Sequence, residues 1–193
     1  MRRILSVLLG AFLLAGCAQQ SGDNNGGGRG PGAVDQLLYS EQADGATYEI
    51  RYKKDVAAGI TSEVVNYLLT DPQTGRRVGL AVNKEGTSPS NSVYRLGIMA
   101  GRKTDPFPNS YWDRYTISLG QDNLYLDNAI STPSEEGGEY RFLLVGGISR
   151  SDLQKLKEAT LITVELISST NPERTTQIPV VPNFQKALLA KMP

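Results

Sequence analysis

The sequence predicts a β-rich fold, all-β or α+β, built mainly from an antiparallel sheet or sandwich with one or two short helices. Three observations favour this class. Apolar and polar residues alternate over short stretches, Gly, Pro, Asn and Asp cluster between those stretches, and helical periodicity is confined to two short segments. Each strand then has one apolar face to bury, so hairpins packed as a sheet or sandwich are expected.

The first predicted unit is a hairpin. Asp44-Gly45 lies between an apolar stretch at 37–39 and a strictly alternating stretch at 47–53. Asp-Gly is the dipeptide that a tight two-residue hairpin turn prefers, because both positions need a positive φ. We therefore expect strands on either side of Asp44-Gly45.

A second hairpin is predicted around residues 71–75, which contain a proline and a glycine between apolar stretches at 64–70 and 77–83. A helix over 61–69 is the alternative for the first of these stretches. Its β-branched and aromatic residues favour the strand.

The middle of the chain is predicted as short strands separated by polar loops. One strand is expected over 93–99, and a short pair over 115–119 and 124–126. Loops are expected over 85–92, 101–113, 120–123 and 130–138.

The stretch 139–167 predicts a strand, a helix and another strand. Ser149 with Asp152 three places on has the spacing of a helix N-terminal capping box, with Asp in place of Glu. Leu153, Leu156 and Ala159 follow on one helix face. A parallel crossover and a helix capping an antiparallel sheet both fit, and the neighbouring hairpins favour the antiparallel sheet.

The C-terminal part is predicted as a last strand at 178–181 and a helix capped by Asn183. Phe184, Ala187, Leu188 and Lys191 would lie on one side of that helix. The whole chain then has eight or nine strands and two short helices.

The N-terminal part has the layout of a secretory signal. Met1-Arg2-Arg3 is positively charged, residues 4–14 are almost wholly apolar but too short for a spanning helix, and Leu14-Ala15-Gly16-Cys17 follows. Here the chain resembles the lipobox signal of bacterial lipoproteins. The expected organisation is a signal peptide at 1–16, a lipidated Cys17 with a flexible Gly-rich tether at 17–32, and a single domain at 33–193.

The lipoprotein resemblance implies a lipid anchor and a location in the cell envelope. It implies that Cys17 receives a diacylglycerol, that cleavage follows Gly16, and that the new amine is usually acylated. Two or three acyl chains give stable anchoring. Because Ala18 rather than Asp follows the cysteine, the resemblance implies the outer membrane, with the domain in the periplasm and exposure on the cell surface as the alternative.

Composition narrows the function classes. Without residues 1–16 the chain has 18 Lys and Arg against 20 Asp and Glu, a balance that does not favour a nucleic-acid partner. There is no histidine, and Cys17 is the only cysteine. This excludes Ser-His-Asp and Cys-His hydrolases, ordinary zinc hydrolases and haem sites with a histidine ligand. No cofactor or metal is predicted.

The candidate partner-binding site is the Pro- and aromatic-rich stretch 105–115. It holds four of the 14 aromatic residues, including the only tryptophan, and the combination of aromatics with Arg is typical of binding hot spots. The alternative is that Trp112 and Tyr115 plug the end of the sheet. The candidate residues are Phe107, Tyr111, Trp112, Arg114 and Tyr115.

Carboxylates and pairs of basic residues are the remaining side chains that could support catalysis or binding. Loop carboxylates are expected at Asp113, Asp122, Asp127, Glu135 and Glu136, of which the last two are interpreted as a solvated turn. The basic pairs at 53–54, 76–77 and 102–103 would keep turns and edges soluble, and a patch for anionic head groups or cell-wall polymer is the alternative.

These observations leave three hypotheses for the function. The first is a non-catalytic outer-membrane lipoprotein that binds another envelope protein as an accessory, scaffold or assembly factor. The second is a protein inhibitor of a cell-wall or periplasmic hydrolase. The third is a carboxylate-dependent enzyme acting on glycan or peptidoglycan.

Overall fold

A computed structural model describes residues 33–73, 75–88, 90–102, 114–136, 139–168 and 176–192. The strands and helices follow one another along the chain with short connections. In order they are β1 (Val34–Ala43), β2 (Ala46–Ala57), β3 (Ile60–Asp71), β4 (Arg76–Ser88), β5 (Asn91–Arg102), β6 (Arg114–Leu119), β7 (Asp122–Leu124), β8 (Asp127–Glu136), β9 (Glu139–Ile148), α1 (Arg150–Glu158), β10 (Thr163–Ile167), β11 (Thr176–Pro179) and α2 (Pro182–Lys191).

The strands form two antiparallel sheets. The large sheet has seven strands in the order β1-β2-β3-β4-β5-β9-β8, and the small sheet has four in the order β11-β10-β6-β7. β9 and β10 flank α1 but belong to different sheets, so the antiparallel alternative predicted for 139–167 is confirmed. The predicted β-rich fold with two short helices is confirmed as well.

The hydrophobic core lies between one face of the large sheet, the small sheet and both helices. Each group of elements contributes side chains with essentially no exposed surface. They include Ile50, Tyr67, Leu80, Ile98, Ile117, Leu156, Val164, Ile178 and Phe184. Phe184 of α2 meets Tyr67 of β3 edge-on, with ring centroids 6.2 Å apart.

The hairpin predicted at Asp44-Gly45 is confirmed, with φ of 53° and 80° at the two turn residues. A second turn of the same kind joins β2 to β3 at Ala58-Gly59, with φ of 51° and 80°. The sequence analysis missed it because alanine is an unusual residue at a positive φ. The hairpin around 71–75 is confirmed, and the helix alternative over 61–69 is wrong.

The loop predicted over 85–92 is wrong, because β4 continues to Ser88 and β5 begins at Asn91. These hairpin ends reach past the core, so their strands need no apolar face. The loop predicted over 130–138 is also wrong, because residues to Glu136 belong to β8. β8 is an edge strand, and edge strands carry polar residues that disguise their period.

The helix cap predicted at Ser149 is confirmed, since the Asp152 backbone N–H donates to Ser149 Oγ at 3.0 Å. The cap predicted at Asn183 is wrong. Val181 is the N-cap residue of α2 and Pro182 follows it at the first helical position. Proline suits that position because its φ is already helical and it has no N–H to leave unpaired.

Candidate functional site

The predicted partner-binding stretch is only partly described. Phe107, Tyr111 and Trp112 lie outside the described residues, and so does the predicted lipid-attachment residue Cys17. Arg114 and Tyr115 are the first two residues of β6. The structure gives these two residues different environments.

Tyr115 is partly buried against the core. Its hydroxyl oxygen accepts a hydrogen bond of 3.1 Å from the backbone N–H of Leu126. Leu126 is itself buried, directly before β8. Tyr115 therefore joins the start of the small sheet to the edge of the large one. This is the role in the sheet that the sequence analysis gave as its alternative for this residue.

Three exposed side chains close in the chain to Tyr115 or Leu126 are called here the exposed corner: Arg114, Tyr125 and Ile130. Arg114 precedes Tyr115, and Tyr125 precedes Leu126, so each of them is next in the chain to a partner in the Tyr115–Leu126 hydrogen bond. Tyr125 is 72% exposed and Ile130 is 65% exposed, the largest exposures among the apolar side chains described. Neither Tyr125 nor Ile130 was predicted as a site residue, because exposure on a strand face depends on the packing of the sheets and not on local sequence.

Glycine makes the junction possible. A Cβ atom on Gly146 of β9 would lie 2.4 Å from the Cβ of Leu126, closer than real Cβ atoms approach. β8 then begins with a bulge between Asp127 and Ile130, where Asn128 has a φ of 49°. The corner is therefore held by specific backbone geometry on a two-sheet scaffold.

A second polar feature lies on the core-facing side of the large sheet. Lys54 of β2, Glu63 of β3 and Lys84 of β4 are direct neighbours across the strands, and the three are called here the lysine rung. Both Lys54 and Lys84 lie on the strand faces that carry the core, one step beyond Tyr52 and Val82. The alternation of side chains along each strand could have predicted that Lys54 lies on the core-facing side, since residues 50, 52 and 54 share one face.

Glu63 is the shared partner in the rung. Its two carboxylate oxygens lie 3.2 Å from Lys84 Nζ and 3.7 Å from Lys54 Nζ. The Tyr52 hydroxyl donates a hydrogen bond of 2.9 Å to the same carboxylate. Burial alone would raise the pKa of Glu63, but the hydrogen bonds from Tyr52 and Lys84 and the nearby ammonium groups hold it below its ordinary value. Burial, together with the bond to Glu63, raises the pKa of Tyr52 to about 12.

Lys157 of α1 is a further lysine, and its charge interacts with that of Lys84. Its side chain is only 8% exposed, and no carboxylate of the described residues pairs with it. Burial and the charge of Lys84 lower the pKa of Lys157. The carboxylate of Glu63 is shared by Lys54 and Lys84, so the rung itself has an excess of one positive charge.

The outer face of the same strands is balanced. Arg51 and Lys53 both approach Asp35, at 3.6 and 3.8 Å, and Arg95 bonds to Glu85 at 2.7 Å. The two members of the predicted basic pair 53–54 therefore point to opposite faces, and only Lys54 joins the rung. The positive excess belongs to the core-facing side.

The chain enters the domain next to the rung. Val34, the first residue of β1, pairs with Lys54. The end of α2 is near as well, since Lys191 Nζ donates to Gln36 Oε1 at 3.1 Å and lies 5.0 Å from the centre of the Tyr52 ring. The predicted tether therefore joins the large sheet at its lysine-bearing end.

The predicted loop carboxylates do not come together. Asp122 is the exposed first residue of β7 and Asp127 the exposed first residue of β8. Asp113 lies outside the described residues, and Glu135 and Glu136 are strand residues of β8 rather than a turn. No group of three or more Cys, Asp or Glu residues within the described ranges is arranged to hold a metal ion. Among those residues, no helix has the length and hydropathy needed to cross a bilayer.

Comparison with known proteins gives no relative: no family model, no curated protein and no solved structure matches the chain.

Proposed function

We propose that the chain is a non-catalytic lipoprotein, anchored in the outer membrane through acyl chains on Cys17, that binds another envelope protein. Its role would be that of an accessory, scaffold or assembly factor. The anchor is supported by the lipobox resemblance of residues 14–17. The binding role is supported above all by the exposed corner beside the aromatic-rich stretch.

The corner has the composition of an interface. Arg and Tyr are enriched among the residues that contribute most to binding, and they act best where neighbouring contacts exclude water. Arg114 and Tyr125 supply these two side chains, and Ile130 adds an apolar one. Phe107, Tyr111 and Trp112 precede Arg114 in the chain, so the predicted site extends from this corner.

The scaffold under the corner is rigid. Tyr115 is fixed to Leu126, and the next inward residues of β6 are in the core. A site that is already in its bound geometry loses little conformational entropy on association. Binding residues mounted on a stable sheet are also a common arrangement in protein recognition.

The edge of the large sheet adds a second mode of contact. β8 pairs with β9 on one side and is the last strand on the other. An extended segment of a partner can add to such an edge through backbone hydrogen bonds. Ile130, an exposed residue of this edge strand, would then be next to the added strand.

The binding proposal is tested by co-purification from cross-linked, detergent-solubilised envelopes. The wild-type chain should retain one specific envelope protein, and Trp112→Ala, Arg114→Ala and Tyr125→Ala should each reduce its recovery. Leu189→Ala is the matched control, because Leu189 is also exposed (53%) but lies on α2. Equal recovery with all variants would contradict the proposed site.

The anchor is tested separately by mass spectrometry of the N-terminal peptide. The expected peptide begins at Cys17 and carries the mass of a diacylglycerol, and Cys17→Ala should abolish both the modification and the cleavage. An unmodified peptide that begins elsewhere would contradict the anchoring proposal without affecting the binding test.

A further inference from the structure

We propose that the end of the hairpin formed by β2 and β3, residues 56–60, inserts into the surface of a lipid bilayer. These residues are called here the apolar tip. They read Val-Ala-Ala-Gly-Ile, and every one of them is exposed. The bilayer is the one that holds the acyl chains of Cys17, so this inference rests on the proposed anchoring.

The apolar tip projects beyond the core. Tyr52 is the last buried residue of β2 before it, and the strand from Tyr52 to Ala58 spans about 20 Å. Val56 and Ile60 are 40% and 36% exposed, and neither belongs to the hydrophobic core. A Cβ atom on Gly59 would meet no other atom within 4 Å. Exposed apolar surface of this kind marks a site of interaction with a partner or a membrane.

The two large aliphatic side chains of the tip lie on opposite faces of the hairpin. Val56 shares the core-facing side with Ile50 and Tyr52, whereas Ile60 pairs with Ala57 and lies on the other side. A flat protein surface, or one face of a second copy of the chain, would cover one of these side chains and leave the other in water. A bilayer surrounds an inserted tip on every side, so it can take up both.

The turn itself favours an apolar tip over a stable conformation. Ala58 has a φ of 51°, a value at which Asn, Asp or Gly is the ordinary residue. Asp44 occupies the equivalent position in the hairpin of β1 and β2, with a φ of 53°. Alanine makes the turn at position 58 less stable than asparagine would, and it keeps the tip free of polar side chains. Such backbone strain is typical of positions with a functional role.

The two ends of the large sheet differ in charge. No charged residue occurs in 56–62 or in 86–94, the stretches around the β2–β3 and β4–β5 turns. Asp44, Asp71 and Arg77 lie at the opposite end of these strands. A charged side chain is costly to move into the apolar part of a bilayer. Insertion is therefore favourable only at the end that has the apolar tip.

The predicted tether enters the domain at this same end. Val34, the first residue of β1, pairs with Lys54, which lies two residues before Val56. As a random coil, residues 17–32 would reach roughly 20 Å, so an anchored Cys17 keeps the tip close to the lipid surface. Tethering of this kind gives an effective concentration of about millimolar. At that concentration a short apolar tip needs only a weak affinity for lipid.

The charged residues next to the tip limit its depth. Lys54 and Asp55 precede it, and the Asp55 carboxylate accepts a hydrogen bond of 2.8 Å from the Val56 N–H. Lys54 is about 13 Å along the strand from Ala58. A tip that enters the interface by about 5–10 Å leaves both charges among the head groups. Because these two charges are opposite, insertion should depend on the apolar side chains rather than on the charge of the lipid.

The test places the full chain in nanodiscs of phosphatidylcholine with brominated acyl chains, which quench tryptophan fluorescence on contact. Trp112→Phe first removes the only native tryptophan. Val56→Trp then reports on the tip. Gln42→Trp is the matched control, because Gln42 is exposed and precedes Asp44 by two residues as Val56 precedes Ala58. Quenching should be about threefold stronger at position 56 than at position 42.

Two further variants of the Val56→Trp chain separate insertion from folding. Ile60→Asp should reduce the quenching about twofold, whereas Gln42→Asp should leave it unchanged. Ala58→Asn should raise the thermal unfolding midpoint in detergent, because asparagine suits the turn, and it should still reduce the quenching. If the tip had only a structural role, a more stable turn would not lower its contact with lipid.

The proposal is overturned if quenching is equal at positions 56 and 42, or if Ile60→Asp leaves it unchanged. It is also overturned if sedimentation in detergent shows self-association that Ile60→Asp abolishes, which would assign the tip to a second copy of the chain.

The outcome is independent of the other proposals. The discs contain no envelope protein, so partner binding does not affect the quenching. If mass spectrometry shows that Cys17 is unmodified, the same two reporter chains are titrated with brominated vesicles, and stronger quenching at position 56 remains the expected result. Failure of the anchor is therefore distinguishable from failure of the apolar tip.

Discussion

The hydroxyl group of Tyr52 on β2 donates a 2.9 Å hydrogen bond to the carboxylate of Glu63 on β3. The same carboxylate lies 3.2 Å from Lys84 on β4. One acidic side chain thus joins three strands at the point where the core gives way to polar residues, and its loss would leave Lys54 and Lys84 without this counter-charge.

Replacing Glu63 with Gln should therefore lower the free energy of unfolding by about 2 kcal/mol at pH 7. The folded-state pKa of Glu63 is below its ordinary value of 4.5. Its stabilising contribution is thus present above pH 4.5 and is lost as pH falls through the folded-state pKa. Urea denaturation should show a larger difference from wild type at pH 7 than at pH 3.

The control for Glu63 is Glu49→Gln. Glu49 approaches Arg51 at 3.7 Å on the outer face of β2, and such exposed pairs contribute less than about 1 kcal/mol. If Glu49→Gln destabilised the chain as much as Glu63→Gln, the special role of the rung would be wrong.

Replacing Lys157 with Met should raise the free energy of unfolding by about 1 kcal/mol at pH 7, because the variant removes a partly desolvated ammonium group that is repelled by Lys84. Burial and Lys84 lower the folded-state pKa of Lys157. The folded chain then binds this proton less tightly than the unfolded chain, so the wild-type penalty is relieved as pH rises toward 10.5.

The advantage of Lys157→Met should accordingly shrink between pH 7 and pH 10.5, as measured by thermal or urea unfolding. Lys155→Met should give no such advantage, because Lys155 is exposed and paired with Asp152. A variant at Lys157 that is less stable than wild type at pH 7 would show that the ammonium group stabilises the fold instead.

The sequence was sufficient for the fold class and for those elements whose chemistry is local. Asp44-Gly45 sets its own turn, and Ser149 with Asp152 caps α1, so both were predicted. The antiparallel arrangement around α1 was also predicted from the dominance of hairpins, whereas the placement of β9 and β10 in different sheets was not.

The features that the sequence did not predict depend on contacts between distant parts of the chain. Residues 130–136 become a strand because β9 pairs with them, although their own sequence is polar. The lysine rung exists because the strands of Lys54, Glu63 and Lys84 lie in one particular register, and no single segment contains that information. Tyr125 and Ile130 likewise became candidates only when the Tyr115–Leu126 hydrogen bond brought β6 and β8 together.

Gly146→Ala should destabilise the junction under the exposed corner by about 1–3 kcal/mol, because the new methyl group would collide with Leu126. Gly147→Ala is the matched control, since a Cβ there would meet Asp127 at an ordinary 3.5 Å. Urea denaturation of the two variants measures the difference. Equal stabilities would contradict the register of β8 against β9.

Arg114→Ala and Tyr115→Phe should separate binding from stability. Tyr115→Phe removes the acceptor for the Leu126 N–H and should cost about 1 kcal/mol of unfolding free energy. Arg114→Ala replaces an exposed side chain and should change stability by less than about 0.5 kcal/mol, while reducing partner recovery. The opposite pattern, with a loss of stability for Arg114→Ala and no loss of partner, would remove Arg114 from the site.

The most direct test of the binding proposal is photo-crosslinking in living cells from a benzoyl-phenylalanine placed at Tyr125, with Leu189 as the control position. The account predicts an adduct with one envelope protein from position 125, lost when Trp112 is replaced by Ala, and no such adduct from position 189. Adducts of equal yield from both positions, or none from position 125, would contradict it.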